Sequence, residues 1–402
     1  MTPSAKQLPA GAWYEPPKWV GDWESLRAQW PLDRSITFVN HGSFGACPTP
    51  VLDVQAALRE ELERDPMDFL ERKIDPLIEA AIASVAGFLG ARADDLVFVQ
   101  NATTAVNTVL QSLELGPQDE VLVTDHTYSG VFNTVTEGAL KRGYGVKVVH
   151  LGLDASDDEI VSAVQGSLGS RPKLAIIDHI TSATAVVLPI ERIVAACAAE
   201  GVMVMVDAAH TPGMFDTDLG KLRPDFWTGN LHKWVCAPKG CAVLYVREDR
   251  QEGIHPLVRS HAHLTPFTGE FAWTGTHDPT AFLSAPEAIH FFDALGWEKV
   301  RDYNSRLALY GSALIHEALG TRPVVPDRTS SSMALVVLPD NKGNTRESAL
   351  AFRDELFRTH GIEVPVVAWG GIGALRISAH VYNRAEDYER LADVLPKAIS
   401  GR

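Results

Sequence analysis

Short apolar, β-branched runs alternate with helical stretches between about residue 50 and residue 246. Helical periodicity covers 50–64 and 76–89. The strand candidates that follow are VFVQ (97–100), EVLVT (120–124), VKVVH (146–150), LAIID (174–178), VMVMVD (202–207) and AVLYV (242–246). This alternation predicts βα units and a mainly parallel sheet with helices on both faces. Because ligands of such sheets bind beyond the carboxyl ends of the strands, the residues after each strand are site candidates.

The pattern changes after these strands, where a stretch at 253–281 is rich in His, Pro, Thr and Gly. The elements predicted beyond it are helices at 283–295 and 298–319, MALVVL (333–338), a helix at 345–360, EVPVV (363–367), ALRIS (374–378) and a helix at 385–399. We therefore predict an N-terminal arm at 1–34, a large domain at 35–281 and a smaller α+β domain at 282–402. The arm holds four tryptophans, so we expect it to pack on a surface, such as a partner subunit, rather than to fray.

Composition limits the kinds of partner. The 402 residues are 46% apolar and carry a formal net charge of −15. Such an acidic chain is not expected to have nucleic acid or an anionic membrane as its main partner. The four cysteines form no Cys-x-x-Cys pair, and neither a signal-peptide core nor a membrane-length apolar run occurs. The sequence therefore predicts a soluble, cytoplasmic protein without a disulfide framework.

Two residues indicate cofactor chemistry. Asp207 ends the strand VMVMVD, so its carboxylate could pair with the cationic ring nitrogen of pyridoxal 5′-phosphate (PLP). Lys233 lies between His232 and Trp234, ahead of a buried strand, and desolvation makes a lysine amine a Schiff-base nucleophile. Taken singly, Asp207 could instead cap a helix, and Lys233 could lie on the surface.

Other polar residues also follow strands. The segment NATTA (101–105) follows VFVQ and opens a helix, which suits a phosphate, and a simple N-cap by Thr103 is an equal alternative. The segment DHTY (125–128) places an aromatic ring where it could stack on a planar cofactor. Arg376 lies in an apolar strand, so we expect it to meet a carboxylate, either structural or of a substrate.

Histidines offer a competing chemistry. His261 and His263 form a His-x-His pair, and His255 is close in sequence. No cysteine or evident carboxylate completes a ligand set, so we do not expect a metal centre. The chain also lacks G-x-G-x-x-G and G-x-x-x-x-G-K-[ST], and neither a dinucleotide nor a P-loop nucleotide is expected.

In order and spacing, eight segments resemble the class V aminotransferase-fold PLP enzymes (fold type I), and within them the isopenicillin N epimerase-like group. The segments are VNHGSFG (39–45), DPMDFL (65–70), NATTAVN (101–107), DHTYSG (125–130), VDAAHTPG (206–213), GNLHKW (229–234), WTGTHDP (273–279) and LRISAHVYN (375–383). The resemblance runs from about residue 34 to the C-terminus. It implies an α/β fold in which a large domain with a mainly parallel seven-stranded sheet is joined to a smaller α+β C-terminal domain.

The resemblance also implies roles for individual residues. Lys233 would form the internal aldimine, Asp207 would hold the proton of the pyridinium nitrogen, and His210 would lie near the phenolic oxygen. His126 would stack on the ring as a further catalytic residue. The residues implied to bind the phosphate are Thr103, Thr104, His232 and Asn230. Thr276 would reach the phosphate of the neighbouring subunit, so the active unit would be a homodimer with its sites at the interface.

The substrate implied is an α-amino acid, with Arg376 holding its α-carboxylate. Further candidates for substrate binding are Asn40, Tyr128 and Ser182, the last in HITSATA (179–185), where many relatives have asparagine. The stretch 361–374 has no cysteine, so the persulfide mechanism of the desulfurases is not expected.

The reaction implied is proton removal from Cα through an external aldimine and a quinonoid, with epimerisation slightly favoured. The alternatives are β-elimination by a C–S lyase acting on a cysteine conjugate and, behind it, transamination. Epimerisation needs a second proton donor, for which Tyr128 or a histidine of the 255–263 segment is available. Outside this class, a non-catalytic PLP-fold binding protein or a histidine-rich metal hydrolase remains an alternative.

Overall fold

The computed structural model describes residues 16–169, 171–325 and 331–401. The strands in these ranges are β1 (Thr37–Phe38), β2 (Leu96–Val99), β3 (Glu120–Thr124), β4 (Gly145–Val149), β5 (Pro172–Asp178), β6 (Met203–Asp207), β7 (Phe226–Asn230), β8 (Ala242–Val246), β9 (Met333–Val337), β10 (Ile362–Glu363), β11 (Val366–Trp369) and β12 (Ile372–Ser378).

The helices in the same ranges are α1 (Trp23–Arg27), α2 (His41–Phe44), α3 (Thr49–Arg64), α4 (Pro66–Asp68), α5 (Ile74–Leu89), α6 (Ala102–Ser112), α7 (Ser129–Arg142), α8 (Asp157–Gln165), α9 (Ile190–Ala199), α10 (Leu219–Leu222), α11 (Phe267–Ala272), α12 (Thr280–Leu283), α13 (Ala285–Leu295), α14 (Trp297–Leu319), α15 (Arg346–His360) and α16 (Ala385–Ser400). A π-helical segment, Phe69–Lys73, joins α4 to α5. None of the described helices is long and apolar enough to cross a membrane.

The large unit, residues 29–31 and 42–297, is built on a seven-stranded sheet in the order β2-β8-β7-β6-β5-β3-β4. β8 runs antiparallel to both of its neighbours, and the other pairs are parallel. The predicted fold class is therefore confirmed. The strand absent from our candidates is β7, whose sequence FWTGN is short and ends in polar residues, although all five are buried.

The carboxyl ends of the central strands carry the candidate residues. Parallel pairing aligns β5 with β6, and the last register pair is Asp178 with Asp207. β7 follows β6 in the sheet, and the loop after β7 carries Lys233. The apolar side chains of these strands are buried on both faces, as a sheet covered by helices on both sides requires.

The small unit holds the described residues up to Ala28, residues 32–41 and those from Glu298 onward. Its antiparallel sheet has the order β11-β12-β9, and β1 pairs in parallel with β10. The unit boundary falls at 297/298, whereas we predicted 281/282. The difference arises because α13 packs against α3 and α5 of the large unit.

The tryptophans of the predicted arm pack within their own units, except that Trp13 lies outside the described residues. In the small unit, Trp23 donates its indole N–H to the Val381 carbonyl at 2.9 Å, and Trp19 packs edge-on against Tyr303. In the large unit, Trp30 donates to the Ala46 carbonyl at 3.2 Å. The described part of the segment is therefore anchored to its own chain.

Candidate active site

Lys233 takes part in a short hydrogen-bonded chain of side chains. Its Nζ lies 3.2 Å from Nε2 of His210. The indole N–H of Trp234 donates to Nδ1 of the same histidine at 3.2 Å. Because Nδ1 accepts, a neutral His210 carries its proton on Nε2 and donates it towards Lys233. The Lys233 nitrogen must then accept this bond, which requires the unprotonated amine.

Asp207 is the last residue of β6 and is only 4% exposed. Within the described part of the chain, its carboxylate accepts one hydrogen bond, from the Ala209 N–H at 3.1 Å. Burial raises the pKa of Asp207, while the hydrogen bond from the Ala209 N–H opposes that shift. A buried carboxylate with a single neutral donor is suited to a cationic partner.

Asp178 provides a second buried carboxyl that sequence reasoning missed. It ends β5, pairs in register with Asp207, and its Oδ2 has no hydrogen-bond partner among the described residues. Burial and the negative charge of Asp207 raise its pKa well above the ordinary value. The available signal was that LAIID and VMVMVD both end in aspartate, on strands that proved to be neighbours.

The start of α6 is where the sequence predicted an anion site, which remains a prediction, and its N-cap differs from the Thr103 alternative. The N-cap is Asn101, not Thr103, and its Oδ1 accepts from the Thr104 N–H at 2.8 Å and the Thr104 hydroxyl at 3.1 Å. Asn230 Oδ1 accepts from the Ala102 N–H at 2.9 Å. Asn230 therefore fixes the helix start with its oxygen, and only its amide N–H groups could contact a phosphate.

His232 is half-buried, and its Nδ1 lies 2.8 Å from the Cys241 carbonyl. A carbonyl can only accept, so Nδ1 carries the proton and Nε2 has the lone pair. Burial lowers the pKa of His232 to about 4. A phosphate dianion at this position would favour the protonated ring, which could then donate from Nε2.

His126 has partners at both ring nitrogens. Nδ1 lies 2.7 Å from the Thr184 hydroxyl, and Nε2 lies 2.9 Å from the Leu151 carbonyl. The ring is buried, and burial lowers its pKa. These contacts fix the orientation of the imidazole plane, as a stacking role would need, while both nitrogens are engaged elsewhere. Its predicted stacking on a cofactor remains a prediction.

Three other predicted residues of the large unit are more accessible. Tyr128 is 44% exposed and precedes α7, Ser182 is half-buried, and Thr276 is exposed between α11 and α12. Their assigned contacts with substrate or with a neighbouring subunit remain predictions.

The two predicted residues of the small unit have different surroundings. Arg376 lies in β12, opposite Leu335 of β9, and is buried. Burial lowers the pKa of its guanidinium to about 10, and a buried cation of this kind needs an anion. Asn40 donates its amide N–H to Glu363 Oε1 at 3.1 Å. Their predicted contacts with a substrate are untested.

Gly45, the residue that follows α2, explains how the backbone around Lys233 is held. Gly45 has φ +71°, and a Cβ at this position would lie 2.1 Å from the His232 carbonyl oxygen and 2.9 Å from the Lys233 Cα. Only glycine permits such a close approach. The backbone that carries the lysine therefore packs directly against the C-terminal end of α2.

These residues fit PLP. Asp207 offers a buried carboxylate for the ring nitrogen, His210 a donor for the phenolic oxygen, and Lys233 an amine for the aldehyde. The positive end of the α6 dipole would favour the phosphate, and His232 would donate to it from Nε2 once the ring is protonated.

Comparisons with known proteins agree with this assignment. The family model "Aminotransferase class-V" matches residues 64–391. Isopenicillin N epimerase of Amycolatopsis lactamdurans is 33% identical over 392 residues, covering 93% of this chain and 98% of that protein. A probable chloroplastic L-cysteine desulfhydrase of Arabidopsis thaliana is also 33% identical, over 90% of this chain and 83% of that protein.

A similar fold is found among solved structures. The cystine C-S lyase C-DES in complex with cysteine persulfide superposes with a TM-score of 0.79, at 21% identity, over 90% of this chain and 97% of that one. This likeness concerns the fold alone.

The fold and the site together define a PLP-dependent enzyme of fold type I. The chain belongs to the class-V aminotransferase family. The predictions of a PLP cofactor, of enzymatic function and of family membership are therefore confirmed.

Proposed function

We propose that this enzyme removes the Cα proton of an α-amino acid with Lys233 and returns a proton to the opposite face, which inverts Cα. The observation that carries the proposal is the 3.2 Å contact between Lys233 Nζ and His210 Nε2, beside the buried Asp207. The contact supports an amine that can accept a proton. The isopenicillin N epimerase relatives support inversion as the outcome.

Bound PLP supplies an electron sink for negative charge that develops at Cα. Asp207 holds the proton on the ring nitrogen, because a cation there compensates its buried carboxylate. Because Trp234 occupies Nδ1, His210 carries its proton on Nε2, from which it would donate to the phenolic oxygen when the cofactor is bound. Lys233 takes the proton from Cα at Nζ.

The other predicted residues have supporting roles in this proposal. Arg376 binds the α-carboxylate, and Asn40 and Ser182 contact the substrate. Tyr128 is the candidate second acid, because this partly exposed tyrosine follows β3 at the carboxyl edge of the sheet. His126 orients the ring by stacking. Thr276 completes the phosphate site of a second subunit in a cytoplasmic homodimer.

A second candidate reaction is β-elimination by a C–S lyase. It needs one base and a leaving group on Cβ, and Lys233 can be that base without a partner on the opposite face. The similarity to L-cysteine desulfhydrases, at up to 33% identity, supports it. Transamination requires the proton to be returned to the cofactor carbon and has less support.

The deciding experiment is incubation of the holoenzyme with candidate amino acids in deuterated water, with products identified by NMR and mass. Deuterium at an inverted Cα supports epimerisation. Pyruvate and ammonia indicate elimination, and a keto acid with aminated cofactor indicates transamination. Lys233→Ala should abolish every reaction and the visible absorbance of the covalently held cofactor.

Tyr128→Phe provides the matched test of the second acid. If Tyr128 donates to the opposite face, the variant should still exchange the Cα proton for deuterium while inversion falls. Equal loss of exchange and inversion would assign the hydroxyl another role.

A further inference from the structure

Two histidines and a glutamate converge in the large unit, away from the residues assigned to the cofactor. His255 Nδ1 lies 2.7 Å from Glu270 Oε2, and His263 Nδ1 lies 3.4 Å from Glu270 Oε1. One ligand atom from each of the three residues lies within 4.8 Å of those of the other two. Sequence reasoning discounted the histidines because no carboxylate was evident, and Glu270 supplies it.

We propose that His255, His263 and Glu270 form a binding site for a divalent transition-metal ion, with Zn²⁺ as the best match. Two imidazole nitrogens and one carboxylate oxygen are a ligand set typical of zinc, whereas Mg²⁺ and Ca²⁺ prefer oxygen ligands. Ligand atoms around tetrahedral zinc lie roughly 3.3 Å apart. The distances of 2.7 and 3.4 Å are to the two different oxygens of Glu270, and the full set lies within 4.8 Å, so side-chain rotation must bring the ligands together on the ion.

Surrounding contacts hold the ligands in place. The backbone N–H of His255 donates to the Ser112 hydroxyl at 3.1 Å, and that hydroxyl also contacts the His255 carbonyl at 3.3 Å. Glu270 lies on α11, which is anchored in the core by Phe267 and Phe271. Two of the three ligands therefore lie on backbone that is already fixed, which lowers the entropic cost of binding.

The burial of the carboxylate also favours a cation. Glu270 is 4% exposed, while the side chains of His255 and His263 are 26% and 40% exposed. A buried carboxylate is stable when it is paired or coordinates a metal. A cavity of about 390 Å³, lined in part by His255, Thr265 and Glu270, adjoins the cluster. It leaves room for a water at the fourth position of the ion.

The test uses the full-length holoenzyme, so that zinc does not bind the amine and imidazoles of an empty cofactor site. Chelator-treated protein is dialysed against ZnCl₂, and bound metal is counted by elemental analysis. We expect one zinc per chain and a raised melting temperature. His263→Ala should weaken zinc binding at least about 100-fold, since it removes a direct ligand, and should lose the thermal shift.

His261→Ala is the matched control, because His261 is exposed and belongs to the same His-x-His pair but not to the cluster. It should bind zinc like the wild type. Glu270→Gln should also lose zinc, and if its burial prevents folding, the exposed His263 still decides the question. Failure of the wild type to take up stoichiometric zinc, uptake unchanged in His263→Ala, or equal loss in His261→Ala would each overturn the proposal. The visible absorbance of the cofactor reports the PLP site separately.

Discussion

The protonation of His210 is set by its neighbour along the chain. Trp234 is buried, and its indole N–H can only donate, so Nδ1 of His210 must accept. Nε2 is thereby left with the proton and faces Lys233 at 3.2 Å. One aromatic residue therefore determines which hydrogen bond the catalytic amine receives. Its role is to position another residue, since it acts only through His210.

Replacing Trp234 by Phe tests this role. The variant keeps an aromatic ring but lacks the N–H, so either nitrogen of His210 can carry the proton. We expect kcat to fall about fivefold, equivalent to about 1 kcal/mol for one lost hydrogen bond, with little change in KM. Because an unrestrained imidazole protonates more readily, the pH profile of kcat should also shift.

Trp227→Phe serves as the comparison, because Trp227 is also fully buried but its indole nitrogen has no hydrogen-bond partner among the described residues. It should leave the pH profile unchanged. Identical kinetic effects in the two variants would indicate that loss of packing, and not the hydrogen bond, is responsible.

At the scale of elements, the site depends on a close approach between the end of α2 and the loop after β7. Gly45, directly after α2, reaches the backbone of His232 and Lys233, where even a methyl group would overlap the His232 carbonyl. The sequence marked HGSFG as glycine-rich but could not indicate what it contacts. The approach joins segments that are almost 190 residues apart along the chain.

Gly45→Ala should therefore disrupt the site. A Cβ 2.1 Å from the His232 oxygen forces the end of α2 away from the loop that carries Lys233. We expect the free energy of unfolding to fall by at least about 2 kcal/mol, with weaker cofactor retention. Urea denaturation measures the free energy of unfolding, and the visible absorbance of the protein after gel filtration measures cofactor retention.

Gly201→Ala is the control that separates the effect of the steric clash at Gly45 from the effect of backbone strain. Gly201 has φ +68°, close to the +71° of Gly45, but a Cβ there meets no atom within 4 Å. Gly201→Ala should lower the free energy of unfolding by only about 1 kcal/mol, the cost of holding an alanine in the left-handed backbone conformation. Equal destabilisation in the two variants would remove the argument for contact with the lysine loop.

At the scale of the whole molecule, the hydrophobic pattern predicted most of the large sheet because its central strands are buried on both faces and read as apolar runs. It missed β7, in which Thr228 is buried by donating its hydroxyl to the Val243 carbonyl at 2.8 Å. It also missed residue pairs that depend on register or on loop closure. Asp178 meets Asp207 only because β5 and β6 are adjacent, and Glu270 meets His255 only because the intervening loop folds back.

The Asp178–Asp207 pair should affect the stability of the whole chain. Both carboxyl groups are buried, and both have raised pKa values. The folded state therefore holds a proton that the unfolded state releases above about pH 4. The free energy of unfolding of the cofactor-free protein should then fall as pH rises from that value, by up to about 1.4 kcal/mol per pH unit for one proton.

Asp178→Asn should remove much of this slope. The amide resembles the protonated carboxyl in shape and carries no charge in either state, so the variant should be more stable than the wild type at neutral pH and similar to it near pH 4. Urea denaturation across this pH range measures the difference. Asp393→Asn is the control, because Asp393 is exposed in the folded chain and should change neither quantity. If Asp178→Asn retained the full slope, the proton would reside on another group, and the neutral member of the carboxyl pair would have to be assigned anew.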